Sequence, residues 1–196
     1  MNIFDIDKDP EQAARWLVDR HVVKMILESA QLLSTAHRYV DGKMEIVKPE
    51  YDPYRPNAPR RSKKFWVLDD AREPVLYQAT HINHPSNVWT RTAVENYLWL
   101  VEHFAALLDE YTYRYGKKHK TGELLYMLQS PPHGVRDYDM TKMPSAMKDE
   151  YKISDDPVTN YRNYYKHGKA TMHKWTNRDR KSTRLNSSHG YISYAV

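Results

Sequence analysis

A mainly α-helical fold is predicted by three features of this sequence. The stretch Asp19 to Arg38, DRHVVKMILESAQLLSTAHR, places Val22, Val23, Met25, Ile26, Ala30, Leu32, Leu33 and Ala36 over well more than half of a helical wheel at about 100° per residue. A second run, NYLWLVEHFAALLDEYTYRY, carries an apolar face through Tyr97, Leu100, Phe104, Leu107 and Leu108 and closes at Gly116. Two Asp-Pro pairs, Asp9-Pro10 and Asp156-Pro157, are helix starts with Asp as N-cap and Pro at the first helical position. Together they predict a compact single-domain bundle of three main helices over residues 1–178, with long Pro-rich loops and at most a small hairpin.

Met1 to Ile6, MNIFDI, reads as a short strand or an extended arm tucked on the core. The helix from Pro10 is expected to run to about Val40 and stop at Asp41-Gly42, with a break near Ser34. Asp19 falls on its apolar side, so it needs a partner such as Arg20, a histidine or a tyrosine hydroxyl. Lys43 to Arg60 holds Pro49, Pro53, Pro56 and Pro59, which excludes helix and marks a surface excursion, with strands at Met44 to Val47 and Phe65 to Leu68. In Thr80 to Arg91, THINHPSNVWTR, Ser86 is expected to cap a short turn holding Trp89. Thr92 and Glu95 form a capping box opening a helix from Ala93 to Tyr115 that packs along the first. Thr121 to Leu128 reads as a short helix and Ser130 to Ile153 as mostly irregular. The last helix runs from Pro157 to about Trp175, with Gly168 as a weak point.

The closing segment, Lys181 to Val196, reads KSTRLNSSHGYISYAV. It resembles a common sequencing adapter translated in one frame, which would also supply Asp179 and Arg180. Residues 179–196 are therefore expected to be a non-native, disordered tail. Lys181 and Arg184 in that tail contribute two of the formal net charges of +5, while Asp179 and Arg180 cancel, so the remainder is only mildly basic. There is no cysteine, which excludes disulfides and thiolate chemistry. Without a signal peptide or a long apolar run, the protein is expected to be soluble and intracellular. Sixteen Tyr and five Trp against three Phe favour half-wet surfaces and base stacking.

The first helix leaves a narrow polar strip of His21, Lys24, Glu28, Gln31 and Thr35, with Arg38 at its edge. His21, Lys24 and Glu28 stack over two turns. A carboxylate there serves as general acid or base and a neighbouring amine as nucleophile or phosphate ligand. The bland alternative is an i,i+4 salt-bridge ladder. His81 and His84 with His21 and a carboxylate offer a weaker metal-binding pattern, without an HExxH motif. Basic runs at Arg60, Arg61, Lys63 and Lys64, at Arg114 to Lys120 including Lys118, and in the last helix, where Tyr161, Tyr164 and Tyr165 interleave with Arg162, Lys166 and Lys169, match phosphate contact plus stacking. Solvated lysines over core tyrosines are the alternative. No Gly-rich phosphate loop, GxSxG or kinase motif occurs.

NIFDIDKDPEQAA, DRHVVKMILESAQLLSTAH, THINHPSNVWTR, NYLWLVEHF, EYTYRYGKKHKT and YRNYYKHGKA with HKWTNR resemble a family of uncharacterised proteins from tailed phages. That likeness covers nearly all of residues 1–178 and implies the cytoplasm of an infected bacterium, but no activity. Asp19, His21 and Glu28 are also similar, more remotely, to the Asp-x-His and following Glu of the pyrimidine-dimer DNA glycosylases of the phage endonuclease V type. Those helical, basic enzymes attack the sugar of a damaged nucleotide with the N-terminal amine, form a Schiff base and cleave the strand by elimination. The family's arginines beside and after the Glu are here Leu27 and Gln31, and Asn2 is too large for routine removal of Met1.

The resemblance implies a DNA glycosylase with lyase activity on double-stranded DNA, needing no cofactor. Met1 would supply the amine, Glu28 the carboxylate, and His21 and Lys24 would assist. An α-amine has a pKa near 8 against about 10.4 for lysine, so more of it is neutral at pH 7. Substrate contacts are expected from Asn2, Gln31, Arg38, His81, His84, Trp89, Arg61, Lys63, Lys64, Lys118, Tyr161, Arg162, Tyr165 and Lys169. The rivals are a non-enzymatic binder of a nucleotide, signalling molecule or host protein, and a metal-dependent hydrolase.

Overall fold

The computed structural model describes residues 1–48 and 62–178. Arg61, Arg60 and the segment from Asp179 onward lie outside them, so the expectations for the Arg60–Arg61 pair and for the tail fall outside the described residues. The fold is mainly α: α1 (Pro10–Trp16), α2 (Asp19–Asp41), α3 (Pro85–Thr90), α4 (Val94–Tyr115), α5 (Leu125–Leu128) and α6 (Pro157–Gly168). The strands β1 (Lys43–Val47) and β2 (Lys63–Val67) pair antiparallel, Lys43 opposite Val67 and Val47 opposite Lys63. No helix among the described residues is long and apolar enough to cross a membrane.

α1 and α2 both pack on α4. Leu17, Val22, Met25, Ile26 and Leu33 meet Leu100, Phe104 and Leu107 in one apolar core. The N-terminal segment is an extended arm, not a strand, and Ile3, Phe4 and Ile6 are buried in the same core. Asp9 caps α1 through the N–H groups of Glu11 and Gln12, and Asp156 caps α6 through that of Thr159.

The first helix breaks at Leu17–Val18, not near Ser34. Both residues are extended, with ψ of 140° and 155°, and both are fully buried. No Gly or Pro marks the break; tertiary bonding overrides local propensity there. The Asp19 N–H donates to the Lys174 carbonyl at 2.9 Å. The Asp19 carboxylate accepts from the Arg114 guanidinium at 3.0 Å and from the N–H and hydroxyl of Thr176 at 2.9 and 2.7 Å. Its partners are thus Arg114 and Thr176, with the Tyr115 hydroxyl beside it, and not Arg20 or a histidine. Arg114, fully buried, also donates to Glu110 at 2.6 Å and to the Arg15 carbonyl at 3.0 Å, and Arg178 closes the network on Glu110. Two carboxylates face two guanidiniums, so this buried cluster is neutral.

Three further boundaries differ from expectation. α4 has Ala93 as N-cap with no side-chain cap: Thr92 turns back to the Val88 carbonyl, and the Arg136 carbonyl takes up the Val94 N–H. α3 is capped by His84, with Pro85 at its first position, and Ser86 lies inside it. α6 ends at Gly168, where a Cβ would lie 2.6 Å from the Tyr164 ring, and a short 3-10 turn (Ala170–Met172) follows before Trp175. Gly116 caps α4 in the left-handed region, φ 64°.

Two core histidines are neutral. His37 accepts from Arg72 at Nδ1 and meets the Tyr97 hydroxyl through Nε2, both at 2.8 Å. His103 bonds the Pro10 carbonyl through Nδ1, while its buried Nε2 has no partner among the described residues. Burial above all pushes each down to about 4 from 6.5. A depressed folded pKa adds stability that is fully present above the unfolded value and lost as pH falls through the folded one. The urea midpoint is therefore expected to be lower at pH 5 than at pH 7.5, falling across 6.5 to 4. Arg114→Ala strands two buried carboxylates and is expected to cost about 3–5 kcal/mol in urea denaturation.

Candidate functional site

The polar strip of α2 is not its solvent face. Arg20, Val23, Lys24 and Leu27 are exposed, whereas His21, Glu28, Thr35 and Arg38 are buried. Glu28 stands at the border, 9% exposed. One carboxylate oxygen pairs with Lys24 Nζ at 3.1 Å. The other accepts the backbone N–H of Asn2 at 2.9 Å. The Met1 nitrogen is three covalent bonds from that of Asn2, so it lies within about 6.5 Å of this oxygen. No ion pair of 4.0 Å or less joins the two among the described residues. A reacting atom about 3 Å from each fits the interval.

The arm is pinned on both sides of this contact. Asn2 Nδ2 donates to the Ala146 carbonyl at 3.0 Å, and its Oδ1 accepts from the Tyr161 hydroxyl at 2.7 Å and from the Ile3 N–H at 2.8 Å. All its side-chain polar atoms are held by protein, so Asn2 positions the arm and does not contact substrate. Phe4 stacks on His21 with ring centroids 4.2 Å apart. His21 Nδ1 is hydrogen-bonded to the Tyr165 hydroxyl. Burial first, then the charges of Lys169 and Lys24, push the His21 imidazole down to about 4. His21 is thus a neutral aromatic support for the arm at pH 7, not a proton carrier beside Glu28.

The His81–His84 turn faces the same strip, because the Thr80 N–H donates to Thr35 Oγ1 at 3.2 Å. His84 Nδ1 accepts the Ser86 N–H at 3.2 Å, which requires that nitrogen to be unprotonated. The imidazole is held below its usual range by burial, then by the Met1 amine and His81, against the opposing pull of Glu28. The amine, His84 and Glu28 therefore share one neighbourhood. His81 occupies the left-handed region, φ 48°, and its carbonyl accepts from the His84 N–H at 2.8 Å and from Asn87 Nδ2 at 3.2 Å. A non-glycine residue held there stores strain of about 1–3 kcal/mol. Gln31 lies half-buried one turn after Glu28. Lys169 Nζ sits 4.9 Å from the Tyr164 ring, within electrostatic reach of His21.

The remaining expected substrate contacts are placed elsewhere. Arg38 is fully buried; it donates to the carbonyls of Tyr77, Trp66, Glu73 and Leu76 and to the Glu73 carboxylate. It clamps the 66–77 segment and has no donor left for a ligand. Trp89 is buried, with its indole N–H on the Thr141 carbonyl. Tyr161 and Tyr165 are core residues. Arg162 binds the Ile6 carbonyl and Asp7, fastening the arm. Lys63 and Lys64 are exposed on β2, beyond the Asp41 end of α2, about 20 Å along the helix from Glu28. Lys118 borders a separate cleft with His119 and Lys120. His21, His81 and His84 have separate partners, and no three His, Asp or Glu side chains among the described residues could hold a metal ion. Sequence reasoning missed Phe4 and Ala146, whose apolar or backbone contacts leave no motif.

No family model, curated protein or solved structure matches the chain. Phe4→Ala is expected to cost about 3–5 kcal/mol and to speed hydrogen exchange at the Asn2 amide, since the arm loses its stack on His21.

Proposed function

We propose that this protein is a DNA glycosylase with AP-lyase activity, with the Met1 amine as nucleophile and Glu28 as its carboxylate. The observation that supports this reading most is the bond from the Asn2 N–H to Glu28, which holds the amine beside a nearly buried carboxylate. A neutral amine attacks C1′ of an extruded nucleotide, the C1′–N bond breaks and the base leaves, taking a proton. The sugar ring opens to give an iminium between Met1 and C1′. Glu28 then removes a C2′ proton, the C3′–O bond breaks, and water hydrolyses the iminium to release the enzyme. In this scheme Glu28 also stabilises the positive charge that develops on the sugar. Lys24, Lys169 and Arg20 supply cations to phosphates around the site. Weakly stacked, damaged bases are the easiest to extrude.

Lys24 is the rival amine, because its Nζ pairs directly with Glu28. Borohydride trapping on duplex DNA with an abasic site, followed by peptide mass mapping, separates the two. A covalent adduct on Met1 is expected, with elimination slowed at least about 100-fold by Glu28→Gln. An adduct on Lys24 would overturn the assignment of the nucleophile. No adduct would sink the lyase reading and favour the non-enzymatic binder.

A further inference from the structure

α2 is open to solvent along only part of its length. From Leu32 to Arg38 every residue is buried, beneath the 66–77 segment that Arg38 clamps and the Thr80 contact on Thr35. From Asp19 to Gln31 the exposed positions are Arg20, Val23, Lys24 and Leu27, with Gln31 half-buried. They form two neighbouring rows at i,i+4 spacing. Arg20 and Lys24 lead to Glu28 in one row, and Val23 and Leu27 lead to Gln31 in the other. The result is an open ledge about 16 Å long that ends beside Glu28.

Its charge is one-sided. Arg20 and Lys24 stand on it. Lys174, also exposed, flanks its start, where the Lys174 carbonyl accepts the Asp19 N–H at 2.9 Å. Lys169 flanks the His21 side. The neighbouring carboxylates are engaged: Asp19 turns inward to Arg114, and Glu28 is shared by Asn2 and Lys24. On the loop before α6, Asp149 and Glu150 pair with Lys152 and Lys148. A row of cations is complementary to a phosphate backbone. Beside it, Val23 and Leu27 are 41% and 39% exposed. Apolar side chains gain nothing from phosphates; in a duplex their complement is the face of an unstacked base.

We propose that the ledge seats duplex DNA and that Leu27 is a wedge filling the gap in the base stack left by the nucleotide extruded toward Glu28. The proposal takes its substrate from the lyase reading above. Leu27 is chosen over Val23 because it directly precedes Glu28, whereas Val23 lies more than a turn away. The gap must open within reach of the residue that meets the extruded sugar.

The probe is a duplex with a tetrahydrofuran analogue of the abasic site, flanked by 2-aminopurine. The analogue has no C1′ hydroxyl and cannot form a Schiff base, so the readout is independent of the chemistry. A saturable rise in 2-aminopurine fluorescence is expected with the unsubstituted protein. Leu27→Ala is expected to lose the rise while its affinity stays within about threefold, since phosphate contacts carry most of the binding. Leu27→Met is expected to keep the rise, as is Val23→Ala. Arg20→Ala is expected to loosen binding and to flatten the slope of log affinity against log salt by about one. No saturable binding, an equal rise in Leu27→Ala, a rise lost in Val23→Ala, or an unchanged salt slope in Arg20→Ala would each overturn the proposal. Borohydride trapping on abasic-site DNA fails separately. A Leu27-dependent rise without an adduct would remove the lyase reading and keep the ledge; an adduct without such a rise would do the reverse.

Discussion

Burial of Ile3, Phe4 and Ile6 is the constraint on which the rest of the site depends. An extended arm has no helical or sheet ladder of its own: the Ile6 N–H bonds the Phe4 carbonyl and the Ile3 N–H bonds Asn2 Oδ1, and other elements must satisfy further backbone groups. Glu28 accepts from Asn2, and Arg162 donates to Ile6. The apolar anchors fix where the arm lies; the polar contacts fix its register. Phe4 on His21 joins the two functions, since that stack sets the arm against α2 within two turns of Glu28. Hydrophobic burial three residues away therefore keeps the Met1 nitrogen within about 6.5 Å of a mid-helix carboxylate.

A second constraint holds the frame. The neutral cluster of Asp19, Arg114, Glu110 and Arg178 joins the start of α2, the last turns of α4 and the C-terminal described segment. Its position explains the break at Leu17–Val18. Asp19 must start a helix there to reach Arg114, and the residues before it give up helical geometry. Removing one member leaves buried charge unpaired, which gives the cluster a strong effect on stability.

Helical periodicity, Asp-Pro starts and the Gly116 stop were legible because each rests on residues near in sequence. The break before Asp19 was not, since it depends on Arg114 and Thr176, far along the chain. Glu28 stood out by its place on a narrow polar strip. The same strip misled at Arg38, which looks like a phosphate ligand by type but spends every donor on backbone carbonyls and Glu73. Tyr161 and Tyr165 misled likewise: a tyrosine among basic residues suits stacking on bases, yet here the Tyr161 hydroxyl braces the arm at Asn2 and the Tyr165 hydroxyl bonds His21 on α2. Aromatic and basic composition does not distinguish a surface that binds from one that is internally consumed.

The central claim is that the arm presents the amine of Met1 to Glu28. Strand cleavage on abasic-site DNA by the protein starting at Met1, compared with a version carrying one extra residue ahead of it, tests that most directly. The account predicts loss of cleavage in the extended version, with its urea midpoint unchanged, because the added residue moves the amine away from Glu28 without touching the buried arm. Equal cleavage by the two proteins would contradict it.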